Sequence, residues 1–140
     1  GIVLTNGVFD ILHKGHIELL KFAKIQGTKL IVAIDSDRRV KELKGDERPI
    51  NNQEDRRRIL ETNRYVDEVV IFDSADELRE FYNTLSPDVI VKGSEWTADE
   101  VRDRDSIPEN IQVKVYPLVG DYSTTSVMHK IRDMETCEKI

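Results

Sequence analysis

Ile2-Val3-Leu4-Thr5-Asn6-Gly7-Val8-Phe9-Asp10-Ile11-Leu12-His13-Lys14-Gly15-His16 is the stretch from which the rest of the chain can be read. It opens as a short apolar strand, turns at Gly7, and reaches His13 and His16 where the strand gives way to a helix. Residues three apart on a helix share a face, so both imidazoles can point one way, and the N–H groups of the first helical turn add partial positive charge. Gly15 between them lets a ligand approach the backbone closely. Such a place holds phosphate. Two histidines at this spacing can also be caps or surface groups, but the strand, the Gly turn and the apolar setting of Phe9-Asp10 favour the phosphate reading.

Further strands are expected at Leu30-Ile31-Val32-Ala33-Ile34, Val69-Val70-Ile71-Phe72, Val89-Ile90-Val91 and Val113-Lys114-Val115-Tyr116. These runs are short, β-branched and mostly continuous rather than alternating, the pattern of a parallel sheet buried on both faces. Between them, Ile17-Leu20-Ala23, Ile59-Leu60-Asn63 and Leu78-Phe81-Tyr82 repeat at helical spacing. The order predicts one α/β domain over residues 1–140, a Rossmann-like, doubly wound, five-stranded parallel sheet with helices on both faces. Ligands of such sheets collect outside the carboxyl ends of the strands, near the point where the winding reverses. Thr5 to His16, Asp35-Ser36-Asp37, Lys92-Gly93-Ser94 and Leu118 to Thr125 all fall at those ends. Lys41 to Gln53, with Gly45, Pro49 and two Asn, reads as the one long irregular stretch and the expected mobile loop.

The composition, 39% hydrophobic and 34% charged, fits a globular protein. No apolar run approaches the roughly 20 residues of a membrane helix and no signal peptide is visible, so the cytoplasm is the expected compartment. The lone Cys137, near a polar C-terminus, reads as a spectator. A net charge of −6 argues against general affinity for nucleic acid or anionic membrane. Residues 38–64, however, hold nine basic against six acidic side chains, a local +3 within an acidic protein, which suits a compact anion such as a nucleotide. Arg57 and Arg58 are the first candidates there for solvated ion pairs instead.

The stretch from Thr5 to His16 resembles the HxGH signature of the cytidylyltransferase-like nucleotidyltransferases. Lys44-Gly45-Asp46-Glu47-Arg48-Pro49, Arg56, Ile59-Leu60-Glu61, Val91-Lys92-Gly93 and Ser123-Thr124-Thr125 follow in that family's order and spacing, so the resemblance covers nearly the whole chain. Within the family the chain is most similar to the adenylyltransferase domain that activates heptose 1-phosphate. Glycerol-3-phosphate cytidylyltransferase and archaeal FAD synthetase are next. The arginine that the glycerol 3-phosphate enzymes place a few residues before Ser-Thr-Thr is missing from Pro117-Leu118-Val119-Gly120-Asp121-Tyr122, although Arg64-Tyr65-Val66-Asp67 looks more like those enzymes.

The resemblance implies transfer of a nucleoside monophosphate, AMP from ATP before CMP from CTP, to a small phosphorylated acceptor with release of pyrophosphate. Such a reaction needs no protein nucleophile, because an acceptor phosphate oxygen attacks the α-phosphorus; the protein positions the reactants and neutralises developing charge. His13, His16 and Lys44 are then the catalytic residues. Thr5, Asn6, Gly7, Phe9, Gly15, Lys92, Gly93, Ser123, Thr124 and Thr125 are expected at the nucleotide, and Asp10, Asp35, Arg56 and Arg64 at the acceptor. Asp10 is equally a helix N-cap candidate, Ser123-Thr124-Thr125 likewise, and Arg56 and Arg64 can equally pair with Glu61 or Asp67. His129 reads as a surface or packing residue. Mg2+ is expected to be held mainly by the nucleotide phosphates and water, with no protein metal site, since His-x-x-His supplies only two ligands. The expected partners are a nucleoside triphosphate, a sugar phosphate and, as in relatives, a second copy of the chain.

Overall fold

The computed structural model describes residues 1–117 and 131–132. Five strands, β1 (Ile2–Gly7), β2 (Lys29–Asp35), β3 (Glu68–Phe72), β4 (Val89–Gly93) and β5 (Gln112–Tyr116), form one parallel sheet in the order β3-β2-β1-β4-β5. The chain winds outward from β1 through β2 to β3, then returns to the other side of β1 for β4 and β5. The reversal therefore lies between β1 and β4, where Leu4 pairs with Ile90 and Thr5 with Val91.

Alternation along each strand divides the core in two. Val3, Leu30, Val32, Ile34, Val89 and Val91 face helices α1 (Lys14–Lys24) and α3 (Gln53–Glu61), packing with Leu19, Leu20, Ala23 and Leu60. Leu4, Ile31, Ala33, Ile90 and Val113 face the opposite way, toward Tyr82 of α4 (Ala75–Thr84) and Val101 of α5 (Ala98–Asp105). Fully buried aliphatic side chains such as Leu20, Leu30 and Val32 each contribute about 1.5–3 kcal/mol relative to exposure. The doubly wound sheet covered on both faces is thus as the sequence indicates.

Two helices lie outside the sequence expectation. α2 (Asp37–Lys44) occupies the start of the stretch read as irregular, and α3 already begins at Gln53, so the loop is confined to residues 45–52. Neither α2 nor α5 carries an apolar repeat, since each buries one side chain, Val40 or Val101. Both start on side-chain caps instead: Ser36 accepts the Arg39 N–H, and Thr97 with Glu100 forms a reciprocal box. α2 stops at Gly45, whose φ of 100° is open to glycine at little cost.

Candidate functional site

The histidine pair is built by the start of α1. His13 is the N-cap and not a helical residue, which corrects the expectation that both rings project from one helix face. Its Nδ1 accepts the Gly15 N–H at 3.1 Å, while the His16 Nδ1 accepts the His13 N–H at 3.2 Å. This reciprocal cap stacks the rings, with centroids 3.8 Å apart and planes 27° from parallel. Each Nδ1 is an acceptor, so the proton of each neutral ring sits on Nε2 and each ring is an N–H donor there. The Gly15 N–H is occupied by this cap rather than offered to a ligand.

Phe9 fixes the pair from below. It is buried, has a φ of 51°, and sets its ring 5.3 Å from that of His16. A left-handed conformation at a non-glycine residue costs about 1–2 kcal/mol. The same ring lies 2.9 Å from where a Cβ on Gly7 would stand, so Gly7 gives room to Phe9. Phe9 thus supports His16 and is not on the wall of the neighbouring cavity. Thr5, also expected at the nucleotide, is fully buried mid-strand between Val32 and Val91, and its hydroxyl finds no partner among the described residues.

Both rings resist protonation. Burial lowers the His13 pKa, and the His16 pKa falls to about 4 through burial first, then the positive fields of His13 and Lys44. Lys44, in the last turn of α2, therefore stands within electrostatic reach of His16. It sits at a helix end, not in the loop expected to carry it.

Beside the pair, at the carboxyl ends of the strands, lies a cavity of about 470 Å³. It brings together Asn6, Gly7, Asp35, Lys44, Lys92 and Gly93 of the sequence candidates. His13 and His16 are not on its wall; Lys44 links the two regions. Lys92, largely buried, donates to Asn6 Oδ1 at 3.0 Å across the β1–β4 junction, and desolvation lowers its pKa. Asp35 accepts from Arg39 Nε at 3.0 Å. Arg39, Arg79, Tyr82, Arg104 and Asp105 also line the cavity and were not anticipated. Arg79 and Arg104 read in the sequence as ordinary helix-surface charges, and only the position of α5 beside α4 would have found them.

Three acceptor candidates stand elsewhere. Asp10 is 3% exposed and is not the α1 N-cap: its two carboxylate oxygens accept the N–H groups of Ile50 and Asn51 at 2.7 and 2.8 Å, and its carbonyl accepts the Asn51 amide at 3.2 Å. Arg56 is fully buried and spends its donors on the carbonyls of Asn51, Val8 and Asp35 and on the Asp37 carboxylate, at 2.8–3.0 Å. Asp10 and Arg56 therefore lock the 45–52 loop to the ends of β1 and β2. Arg64 follows α3 at the amino edge of the sheet, remote from the cavity, where it lies over the Tyr65 ring and donates to the Tyr65 hydroxyl. Arg57 pairs with Glu54 and Glu61, as an ion-paired helix face should. Ser123, Thr124, Thr125 and His129 lie outside the described residues. Among those described, no helix is long and apolar enough to cross a membrane.

A parallel sheet whose winding reverses beside a stacked histidine pair and a lysine-lined cavity is the arrangement of the nucleotidyltransferase-like α/β proteins. The chain belongs to the cytidylyltransferase-like family, whose model matches residues 4–140. It is 47% identical over 131 residues to the bifunctional protein HldE of Campylobacter fetus and 46% identical over 130 residues to that of a Marinomonas species. These matches take in 94% and 92% of the chain but only 28% and 27% of the relatives, so the chain spans little more than a quarter of their length. Among solved structures it is similar to the lipopolysaccharide core biosynthesis protein of Thermoplasma volcanium, with a TM-score of 0.65 and 26% identity over 84% of this chain and 95% of that one. Pantothenate synthetase of Thermus thermophilus, at 12% identity and a TM-score of 0.59 over 85% of this chain and 56% of that one, shares the fold.

Proposed function

We propose that this chain transfers AMP from ATP to a small sugar phosphate, such as heptose 1-phosphate, and releases pyrophosphate. The observation that carries this is the stacked His13–His16 pair, both rings disfavoured for protonation by burial, next to Lys44 and the cavity. An acceptor phosphate oxygen attacks the α-phosphorus, the bond from that phosphorus to the bridging oxygen breaks, and the electron pair leaves on pyrophosphate. His16 donates to the α,β-bridging region as charge develops there, His13 to a neighbouring phosphate oxygen, and Lys44 and Lys92 supply positive charge from opposite sides. Neutral imidazoles donate without being strong acids, so they stabilise the leaving oxygen without protonating bulk solvent-facing phosphates. The adenylyl preference and the sugar phosphate rest on the motif resemblance and on the names of the relatives.

Mg2+ fits this reading as an ion carried in by the triphosphate. The cavity carboxylates Asp35 and Asp105 are already paired with Arg39 and Arg104, so a Mg2+ ion would be held by phosphate and water and would supply charge neutralisation there. A second copy of the chain is part of the proposal, checked by light scattering on a sizing column. The deciding experiment sets ATP, CTP, GTP and UTP against heptose 1-phosphate, glycerol 3-phosphate and FMN, with pyrophosphate as readout. Pyrophosphate from ATP and heptose 1-phosphate is expected; none from any pair would make the chain a nucleotide-binding module without turnover.

A further inference from the structure

Part of the cavity is walled by α4 and α5, which pack on the face of the sheet opposite to α1 and its histidine pair. Arg79 and Tyr82 come from α4, Arg104 and Asp105 from the end of α5. Each arginine has a carboxylate on its own helix: Arg79 Nη1 meets Asp76 Oδ1 at 2.9 Å, and Arg104 Nε meets Asp105 Oδ1 at 2.9 Å. The Arg104 guanidinium also lies 4.5 Å from the centroid of the Trp96 ring, which fixes its plane from one side. The fields of Asp105, Arg79 and Arg104 all reach the Tyr82 phenol, so the four groups form one cluster and not separate surface features. Asp105 and Arg104 also act on Lys92, which joins the cluster to the strand ends where phosphate transfer is placed.

Resting on the function proposed above, we infer that Arg79 and Arg104 are the specificity-determining residues for the acceptor, gripping an anionic, polyhydroxylated molecule between α4 and α5. The ion pairs are exposed on one side, so an incoming anion can share each guanidinium with its carboxylate, and an arginine's five donors serve both at once. Asp105 and the Tyr82 hydroxyl then meet sugar hydroxyls as acceptor and donor. With Lys44 and Lys92 given to the triphosphate and Arg39 paired with Asp35, the α4–α5 end of the cavity presents Arg79 and Arg104 against Asp105, a net +1. That balance suits a phosphate-bearing sugar. It does not suit the flat ring system of a flavin, for which Ala75, Leu78 and Val8 provide little apolar surface.

The test is titration calorimetry of heptose 1-phosphate into the chain preloaded with α,β-methylene-ATP, for wild type, Arg79→Met and Arg104→Met. Both substitutions keep an unbranched apolar stem and remove the guanidinium, and thermal melts check folding. Each variant is expected to bind heptose 1-phosphate about 10–100-fold more weakly while its affinity for the nucleotide analogue changes less than threefold. In turnover the same factor should appear in the KM of the acceptor, with kcat and the KM of ATP nearly unchanged. Equal acceptor affinity in all three proteins overturns the inference, as does a parallel loss of nucleotide affinity, which would assign the arginines to the triphosphate. Wild-type protein that makes pyrophosphate with FMN and ignores heptose 1-phosphate also overturns it. Failure of the underlying function looks different: no pyrophosphate with any acceptor and no heptose 1-phosphate binding.

Discussion

Asp10 and Asn51, 41 residues apart, are joined twice: the Asp10 carboxylate takes the Asn51 backbone N–H at 2.8 Å and the Asn51 side chain returns a donor to the Asp10 carbonyl at 3.2 Å. A carboxylate that binds two backbone N–H groups out of water is a stronger anchor than a neutral cap. Asp10→Ala should therefore cost about 2–4 kcal/mol of stability. Amide exchange at Ile50 and Asn51 should accelerate at least tenfold in hydrogen–deuterium measurements. Unchanged exchange at those two amides would show that the anchor does not hold the loop.

Arg56 extends the same lock to β1 and β2. Its removal leaves three carbonyls and a carboxylate without their donor, so Arg56→Met should lose about 3–5 kcal/mol in urea unfolding. Arg56→Lys should recover little, because one ammonium cannot reach Asn51, Val8, Asp35 and Asp37 from a single position. A full rescue by lysine would mean that only the charge matters.

His16 has two jobs that substitutions can separate. His16→Ala should lower turnover by about 10²–10³-fold through loss of one transition-state donor, and should also cost about 1 kcal/mol because the His13 N–H loses its cap. His16→Gln can still cap from the third helical position. It should restore the melting temperature while turnover stays low. Recovery of both together would make His16 a structural residue only.

The histidine pKa values set a pH dependence with a definite sign. The His16 pKa is about 4 in the folded chain, below the ordinary 6.5, so between those values the unfolded chain binds more protons. Stability from this group is complete above about pH 6.5 and is lost as pH falls toward 4; His13, lowered by burial, acts in the same direction. In a nuclear magnetic resonance titration of the nucleotide-free chain, the His16 ring should stay neutral at pH 5. A midpoint near 6.5 would refute the buried, stacked arrangement.

For Lys44→Ala a loss of about tenfold is expected, smaller than for His16 because the ammonium acts at longer reach. Single-turnover measurement at saturating ATP isolates it from product release. An effect confined to steady-state turnover would place Lys44 in release instead.

The strands were legible because Leu30 to Ile34 and Val89 to Val91 are apolar on both faces, a pattern that only a covered parallel sheet explains. The cavity lies at the carboxyl ends of the strands, where the same topology points. α2 and α5 were not legible, since a helix that buries only Val40 or Val101 shows no apolar period. The roles of Asp10 and Arg56 were hidden for another reason. Their partners are backbone groups of Ile50, Asn51, Val8 and Asp35, and a carbonyl or N–H has no letter in a sequence. Charged residues near a phosphate site look like ligands whether they touch substrate or hold the frame that does.

Because Lys44 ends α2 while Gly45, with nothing within 4 Å of its missing Cβ, begins the loop, the amine is delivered by a preformed helix. In the proposed reaction, its approach to a phosphate is then a side-chain rotation, complete within nanoseconds, rather than a microsecond closure of a polypeptide flap. Chemistry need not wait for the backbone.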